Sequence, residues 1–284
     1  MTSKYSLSNL GFILVLYKQE IKDSTTFQSL NKSVEYLGQE QKADLFVYDN
    51  SPMVRQEVTN LVDHKFNIYY VHDIENSGVS KAYNEGWKWA HSFGKSWLVL
   101  LDQDTFFPNY SISKYLDSIN LFSNVNLHVP ILFVNDKIYS PCKIFFTRGF
   151  NWNSVKPSHY NLNNKGLLNS GILISLDSYE RAGGYNEKIP LYFSDFDFVN
   201  RLRKNAETLK VIDIRCEHTL SDVIRIDKKS AFLRFKYYCS GAAETYQGTS
   251  SIIFAFIMVF LRAIKLSFKF KSIRFLKIFS EYFL

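Results

Sequence analysis

The chain has 284 residues, enough for one large α/β domain with an appendage or for two small domains. At 46% apolar and 17% aromatic it has a globular composition, which excludes a disordered or fibrous chain. The net charge of +7 is unevenly spread, and Cys142, Cys216 and Cys239 lack disulfide or zinc spacing, which points to isolated thiols in a reducing compartment.

Residues 11–17 form a continuous apolar run, as expected of a strand covered on both faces. The run is too short for a secretory signal, has no basic lead and continues into Lys18, Gln19 and Glu20. It therefore reads as the first core strand, and the active portion is expected in the cytosol. A helix is predicted over 24–38 and a second strand over 44–48, ending in the turn residues Asp49, Asn50, Ser51 and Pro52. A short helix near 53–63, a third strand over 67–72, a helix over 79–93 and a fourth strand over 96–101 follow. This alternation predicts a mostly parallel sheet with crossover helices.

The fourth strand runs into Asp102, Gln103 and Asp104. Carboxyl ends of strands are where open α/β sheets bind ligands, and the spacing aims Asp102 and Asp104 the same way. Two converging carboxylates suit a divalent cation that bridges to a diphosphate; the alternative is a strand end with a polar turn. Asp49 ends the second strand near the same edge, where it either accepts hydrogen bonds from a nucleobase or ribose or serves the turn. Between the third strand and its helix lie Asn76, Gly78, Lys81, Asn84 and Gly86. Gly78 permits a positive φ or close backbone approach, and the helix start offers amides toward phosphate. Gly86 inside the helix costs about 1 kcal/mol against Ala, which implies close packing or a functional reason.

Beyond Asp104 the rhythm changes. A helix is predicted over 111–122, strand-like pieces over 126–175, and a buried strand within 167–176 that carries Asn169, Ser170 and Gly171. A helix over 177–182 stops at Gly183 and Gly184. Another is predicted over 195–205, then a strand over 208–214. Asp195 is either a helix cap or a general base, and Asp197 with Arg201 has ion-pair spacing. His218, beyond the last strand, is either structural or the completion of a metal site.

From 228 onward the pattern is helical. Residues 252–261 are wholly apolar, but a bilayer span needs about 20 such residues. Arg262, Lys265, Lys269, Lys271, Arg274 and Lys277 then alternate with aromatic and aliphatic residues, and no acidic residue occurs between Glu244 and Glu281. Such a helix is expected to lie in an anionic membrane interface; the alternative is packing on the core with lysines reaching outward. Nucleic acid is not expected, because the basic stretch is local and no recognition motif accompanies it.

Taken together, Asp102, Gln103 and Asp104, the paired Asn and Gly at 76–78 and 84–86, Ser170 with Gly171, and Gly183 through Glu187 resemble family 2 glycosyltransferases of the GT-A fold. The branch they look most like is the bacterial rhamnosyltransferase-like enzymes of cell-surface polysaccharide assembly. The resemblance covers roughly residues 10–225. It implies an α/β, Rossmann-like GT-A domain over 1–225, with a mostly parallel sheet flanked by helices, and a helical, basic, membrane-associating extension over 226–284. It further implies metal-dependent, inverting transfer of a sugar, rhamnose being the branch's example, from a nucleotide diphosphate donor. The acceptor is a saccharide or an undecaprenyl-linked oligosaccharide of O-antigen or capsule synthesis. The enzyme would sit peripherally on the inner face of the plasma membrane.

By the same resemblance, Asp195 is the general base, supported by Asp197 and Arg201. Asp104 and His218 hold Mg²⁺ or Mn²⁺. Tyr17, Asp49, Asn76, Gly78, Lys81, Asn84, Asp102 and Gln103 bind the nucleotide sugar. Ser194 stands where many relatives carry Glu, and Asp49 is followed by Asn, Ser and Pro in place of commoner sequences. Two rival readings stay open. A nucleotidyltransferase would be expected to carry a Gly- and basic-rich loop after the first strand, and residues 16–20 supply none. A non-catalytic saccharide-binding scaffold would be expected to lose Asp104 or Asp195, and both are present.

Overall fold

The computed structural model describes residues 4–38, 41–54, 63–145, 148–204, 208–219 and 227–284. The first half alternates as expected: β1 (Leu10–Leu16), α1 (Thr25–Tyr36), β2 (Ala43–Asp49), β3 (Phe66–His72), α2 (Val79–Ser92) and β4 (Trp97–Asp102). The short helix expected near 53–63 falls on residues outside the described ones. Strands β1, β2, β3 and β4 are mutually parallel in the order β4-β1-β2-β3. The apolar runs of β1, β2 and β4 bury both faces, while β3, at the edge, stays half-exposed. Ile13, Phe46 and Leu100 face one core layer with α2, while Phe12, Leu45 and Val99 face the other.

The second half builds the rest of the sheet from short pieces: β5 (Thr105–Phe106), α3 (Ser111–Leu121), β6 (Leu127–Val134), β7 (Lys137–Ser140), β8 (Cys142–Phe145), β9 (Arg148–Phe150), β10 (His159–Asn161), β11 (Lys165–Gly166) and β12 (Ile172–Ser175). Then come α4 (Leu176–Arg181), α5 (Ser194–Lys204) and β13 (Thr208–His218). The main sheet runs β10-β13-β6-β12-β4-β1-β2-β3, with β12 antiparallel between β4 and β6. The expected mostly parallel sheet thus holds, with β12 reversed at its centre and the short β10, β5 and β7 antiparallel to their neighbours. Strands β11, β8 and β9 form a separate three-stranded sheet. β13 extends to His218, so that histidine is the last residue of a strand and does not follow one. The three cysteines are free and buried, as expected.

Three C-terminal helices, α6 (Lys228–Tyr246), α7 (Ile252–Phe270) and α8 (Arg274–Phe283), surround their own apolar cluster of Phe235, Cys239, Val259, Phe275 and Phe279. Phe193, just before α5, packs against it. Among the described residues no helix is long and apolar enough to cross a membrane.

Candidate active site

Strand register decides which side chains meet. Leu16 stands opposite Asp49, Val15 opposite Asp102, and Asp49 opposite His72, so β1, β2, β3 and β4 end together at one edge. The antiparallel pairing of β5 with β13 sets His218 opposite Thr105 at that edge.

β4 ends at Asp102, and Asp104 lies in the turn that follows instead of on the strand. That turn is held from α1. Ser24 Oγ donates to the Gln103 carbonyl at 2.8 Å, and the Thr105 amide donates to Thr26 Oγ1 at 2.9 Å. The Gln103 side chain folds back on the Tyr17 backbone, accepting from its N–H at 2.7 Å and donating to its carbonyl at 3.3 Å. Gln103 thereby fixes the Tyr17 backbone beyond the end of β1, and the Tyr17 side chain is half-exposed.

Asp102 Oδ1 accepts from the Tyr83 hydroxyl at 2.9 Å. Burial raises the Asp102 carboxyl above its ordinary range, against the pull of His218 and of the Tyr83 hydrogen bond. Asp104 is pushed up to about 6 by burial and then by the Asp102 charge, with His218 opposing. His218 Nδ1 lies 3.5 Å from Asp104 Oδ1 and 2.8 Å from Thr105 Oγ1, which is in turn 2.8 Å from Ser170 Oγ. Two carboxylates that resist ionisation, beside an imidazole, suit a cation that takes one or two carboxylates and completes its shell with substrate phosphates and water. Among the described residues no three His, Cys, Asp or Glu side chains form a metal cluster by themselves.

Asp195 lies in the first turn of α5, just after Phe193, whose φ of 72° is left-handed. The Asp195 carboxylate accepts from the Phe196 amide at 2.8 Å. Burial pushes its carboxyl up to about 7, with the Asp102 charge adding to the rise and the Phe196 hydrogen bond opposing it. A carboxyl poised near neutrality is suited to proton transfer. Asp197 and Arg201 pair at 2.7 Å, and Arg201 also donates to the carbonyls of Ala182 and Gly184. This pair clamps α5 to the turn after α4.

Several expected ligand residues are engaged with the protein itself. Asp49 is fully buried, its two oxygens accepting from the Ser51 amide at 2.9 Å and the Tyr70 hydroxyl at 2.8 Å. Gly78 has φ 94°, and a Cβ there would lie 2.1 Å from the Pro190 carbonyl oxygen, so its freedom serves a close backbone approach. The Val79 amide donates to that carbonyl at 2.8 Å, and the Gly78 amide faces Asn50 Oδ1 at 3.4 Å. Two of the amides expected to face phosphate at the start of α2, those of Val79 and Gly78, are therefore spent on the Pro190 carbonyl and Asn50. Asn84 accepts from the Tyr179 hydroxyl and the Tyr185 amide, both at 2.8 Å, and donates to the Tyr185 carbonyl and Glu187. It joins α2 to the loop after α4. A Cβ on Gly86 would lie 2.5 Å from Ile13, which gives that glycine a packing reason. Asn76 adopts φ 52°, and Lys81 Nζ lies 3.4 Å from Ser77 Oγ.

Sequence reasoning missed Thr26, Tyr83, Thr105 and Tyr185. Tyr83 and Tyr185 are buried with ring centroids 5.1 Å apart, and Tyr185 stacks on Phe198 of α5 at 4.2 Å. A stack of rings thus connects the Asp102 carboxylate to the helix that carries Asp195. An ordinary buried aromatic gives no signal of such a role in sequence.

The sequence model described as "Glycosyl transferase family 2" matches residues 25–172, just over half of the chain. The chain is 26% identical over 224 residues to the dTDP-rhamnosyl transferase RfbF of Shigella flexneri, covering 76% of this chain and 70% of that protein. In structure it is similar to S. aureus TarS (residues 1–349) solved with UDP, at a TM-score of 0.58 and 13% identity, covering 88% of this chain and 69% of that one. TarS has also been solved with UDP-GlcNAc. GalNAc-T7 with UDP, GalNAc and Mn²⁺ is similar at a TM-score of 0.55 and 11% identity, covering 96% of this chain and 58% of that one.

Proposed function

The chain belongs to family 2 of the glycosyltransferases, and from that premise we propose that it moves a sugar, with inversion, from a nucleoside diphosphate donor to a saccharide acceptor. Its sheet has the GT-A form, and the enzyme is a glycosyltransferase. What carries the proposed mechanism is the placement of Asp195 in the first turn of α5, linked through Phe198, Tyr185 and Tyr83 to Asp102 at the sheet edge, with its carboxyl raised by burial to about 7.

The donor lies across the carboxyl ends of β1, β2 and β4. Tyr17 flanks its base, and Asp102 contacts the ribose or diphosphate. The buried Asp49 acts on the base or ribose through lone pairs left over from its Ser51 and Tyr70 bonds. Asp104 and His218 hold a divalent cation, Mg²⁺ or Mn²⁺, which when bound offsets the charge on the leaving diphosphate. The acceptor oxygen attacks the anomeric carbon opposite the diphosphate. Its proton passes to Asp195, the new C–O bond forms, and the bond to the diphosphate oxygen breaks with its electron pair. Attack from that face inverts the anomeric centre.

Similarity to RfbF supports rhamnose from a dTDP donor. We read residues 1–225 as the catalytic domain and 226–284 as an extension that docks on an anionic membrane carrying a lipid-linked acceptor for O-antigen or capsule synthesis. On this reading the enzyme sits on the cytoplasmic face of the plasma membrane. Supporting that, Ile253, Ile257, Leu261 and Phe268 are exposed on α7, near Lys265, Lys269 and Lys271. Arg262 does not belong to that surface, since its guanidinium stacks on Tyr238 at 4.0 Å.

The test is hydrolysis and binding across a panel of nucleotide sugars, with and without Mn²⁺, beside Asp104→Ala. Metal-dependent turnover of one donor, lost in the variant, is expected. Turnover that survives both metal removal and Asp104→Ala overturns the assignment of Asp104.

A further inference from the structure

The small sheet β11-β8-β9 has two unlike faces. On one, Cys142 stands opposite Gly166, and a Cβ on Gly166 would lie 2.8 Å from the Phe196 ring and 2.9 Å from Cys142 Sγ. That face packs against the residue next to Asp195. The Cys142 thiol is pushed up to about 11, by burial first and then by the Asp195 charge. On the other face Lys143 stands directly opposite both Lys165 and Phe150. Directly opposed residues share a face, so two ammonium groups lie side by side.

Like charges placed opposite one another are destabilising. Among the described residues neither lysine has an ion pair; Lys165 Nζ has neutral oxygens, Asn161 Oδ1 and the Asn163 carbonyl, each at 3.3 Å, and lies 5.9 Å from the ring centroids of Trp152 and Tyr160. Burial and the neighbouring Arg203 and Lys143 lower the Lys165 pKa. Arg203 itself is spent on the carbonyls of Leu162 and Lys165 and on Asn200.

The two lysines line a cavity of about 550 Å³ together with Phe145, Phe150 and Trp152. That volume falls within the ~300–1,000 Å³ of small-molecule sites. The cavity therefore presents two kinds of group at once, aromatic surface and two cations without an ion pair. It carries no carboxylate among the described residues. A neighbouring cavity of about 680 Å³ shares Trp152 but carries both signs, with Asp213 beside Arg215, so selection by charge belongs to the first.

We propose that this cavity binds an acidic sugar unit of the acceptor, one bearing a carboxylate or a phosphate. Its ring lies on Trp152 and Phe150, and its anion sits between Lys143 and Lys165. The position, one strand layer from Phe196, gives the subsite a sugar away from the reacting hydroxyl, so it selects which acceptor chain is presented to Asp195. This rests on the glycosyltransferase reading of the neighbouring site.

The experiment measures direct binding by calorimetry to the full chain, with no donor present. Three oligosaccharides of equal length are compared: a uronate-bearing, a phosphate-bearing and a neutral one. Binding of an acidic member at least tenfold tighter than the neutral one is expected, weakening with salt. Whether the uronate or the phosphate wins names the source of the anion. Lys143→Gln with Lys165→Gln should remove the preference while the melting temperature holds. Should that pair fail to fold, Trp152→Leu, which removes the aromatic platform, should weaken all three ligands. Equal binding of acidic and neutral chains by the folded wild type, or a preference unaffected by the lysine variants, overturns the proposal. A wild type that turns over donor but shows no acidic preference fails this inference alone. One that prefers acidic chains but turns over no donor in the panel fails the functional reading alone.

Discussion

Asp195 carries opposite demands from chemistry and from folding. With its carboxyl near 7 in place of the ordinary 3.8, the folded chain keeps a proton that the unfolded chain releases between those values. Stability on this group's account therefore falls as pH rises from about 4 to about 7, while the carboxylate proposed to take the acceptor proton forms over the upper end of the same window. Sugar transfer should rise with pH along a limb centred near 7, read from kcat/KM. Asp195→Asn should lower kcat by about 10²–10⁴-fold, as loss of a general base does. It should also raise the melting temperature, by about 2–4 °C for each kcal/mol recovered. Asp104, raised to about 6, should bind a divalent cation more weakly below that pH because protons compete for its oxygens, and calorimetric titration with Mn²⁺ at pH 5 and pH 8 measures this.

Individual residues differ in how far their sequence context exposes them. Asp102 and Asp104 are readable because an apolar run must end somewhere, and ending in carboxylates is conspicuous. Asn84 and Gly78 are conspicuous too, but what they serve lies far along the chain. Asn84 spends its amide on Tyr179, Tyr185 and Glu187, and Gly78 is shaped by the Pro190 carbonyl. Spacing within one segment cannot say whether a glycine makes room for a phosphate or for a carbonyl of its own chain.

Among elements, β1, β2 and β4 were legible because parallel strands covered on both faces are apolar throughout, and the half-exposed edge strand β3 by its place in the alternation. β5, β7, β9, β10 and β11 are two to four residues long and owe their form to partners elsewhere in the chain. Their sequences carry little of that information, and with them the cavity beside Trp152 stayed hidden. The seat of α2 on β1 is set at Gly86, where a Cβ would lie 2.5 Å from Ile13. Gly86→Ala should cost about 1–3 kcal/mol by overpacking, seen as a lower denaturation midpoint in urea, with the m-value unchanged.

For the whole molecule, the proposed docking of the C-terminal helices on an anionic membrane makes a direct prediction. The full chain should sediment with vesicles rich in anionic phospholipid and not with zwitterionic ones. Lys265→Glu with Lys269→Glu should reduce the bound fraction at least tenfold, since each basic residue near such a surface contributes about 1 kcal/mol. A bound fraction that ignores lipid charge would mean that the basic residues serve only solubility.

The helices also touch the chemistry. In α6, a Cβ on Gly241 would lie 2.3 Å from the Tyr192 carbonyl oxygen, and Phe193, the left-handed residue ahead of α5, packs on Tyr238 and Tyr246. The tail is thus a splint for the segment ahead of α5, besides the membrane role proposed for it. A chain cut after residue 225 should lose turnover even of a freely dissolved acceptor, and re-attaching it to a membrane by a foreign anchor should not restore it. Grafting the tail of a relative would succeed only where the graft supplies a residue without a side chain at that one point of contact. Membrane address and catalytic competence would then be inherited together, through a gap the width of a single methyl group.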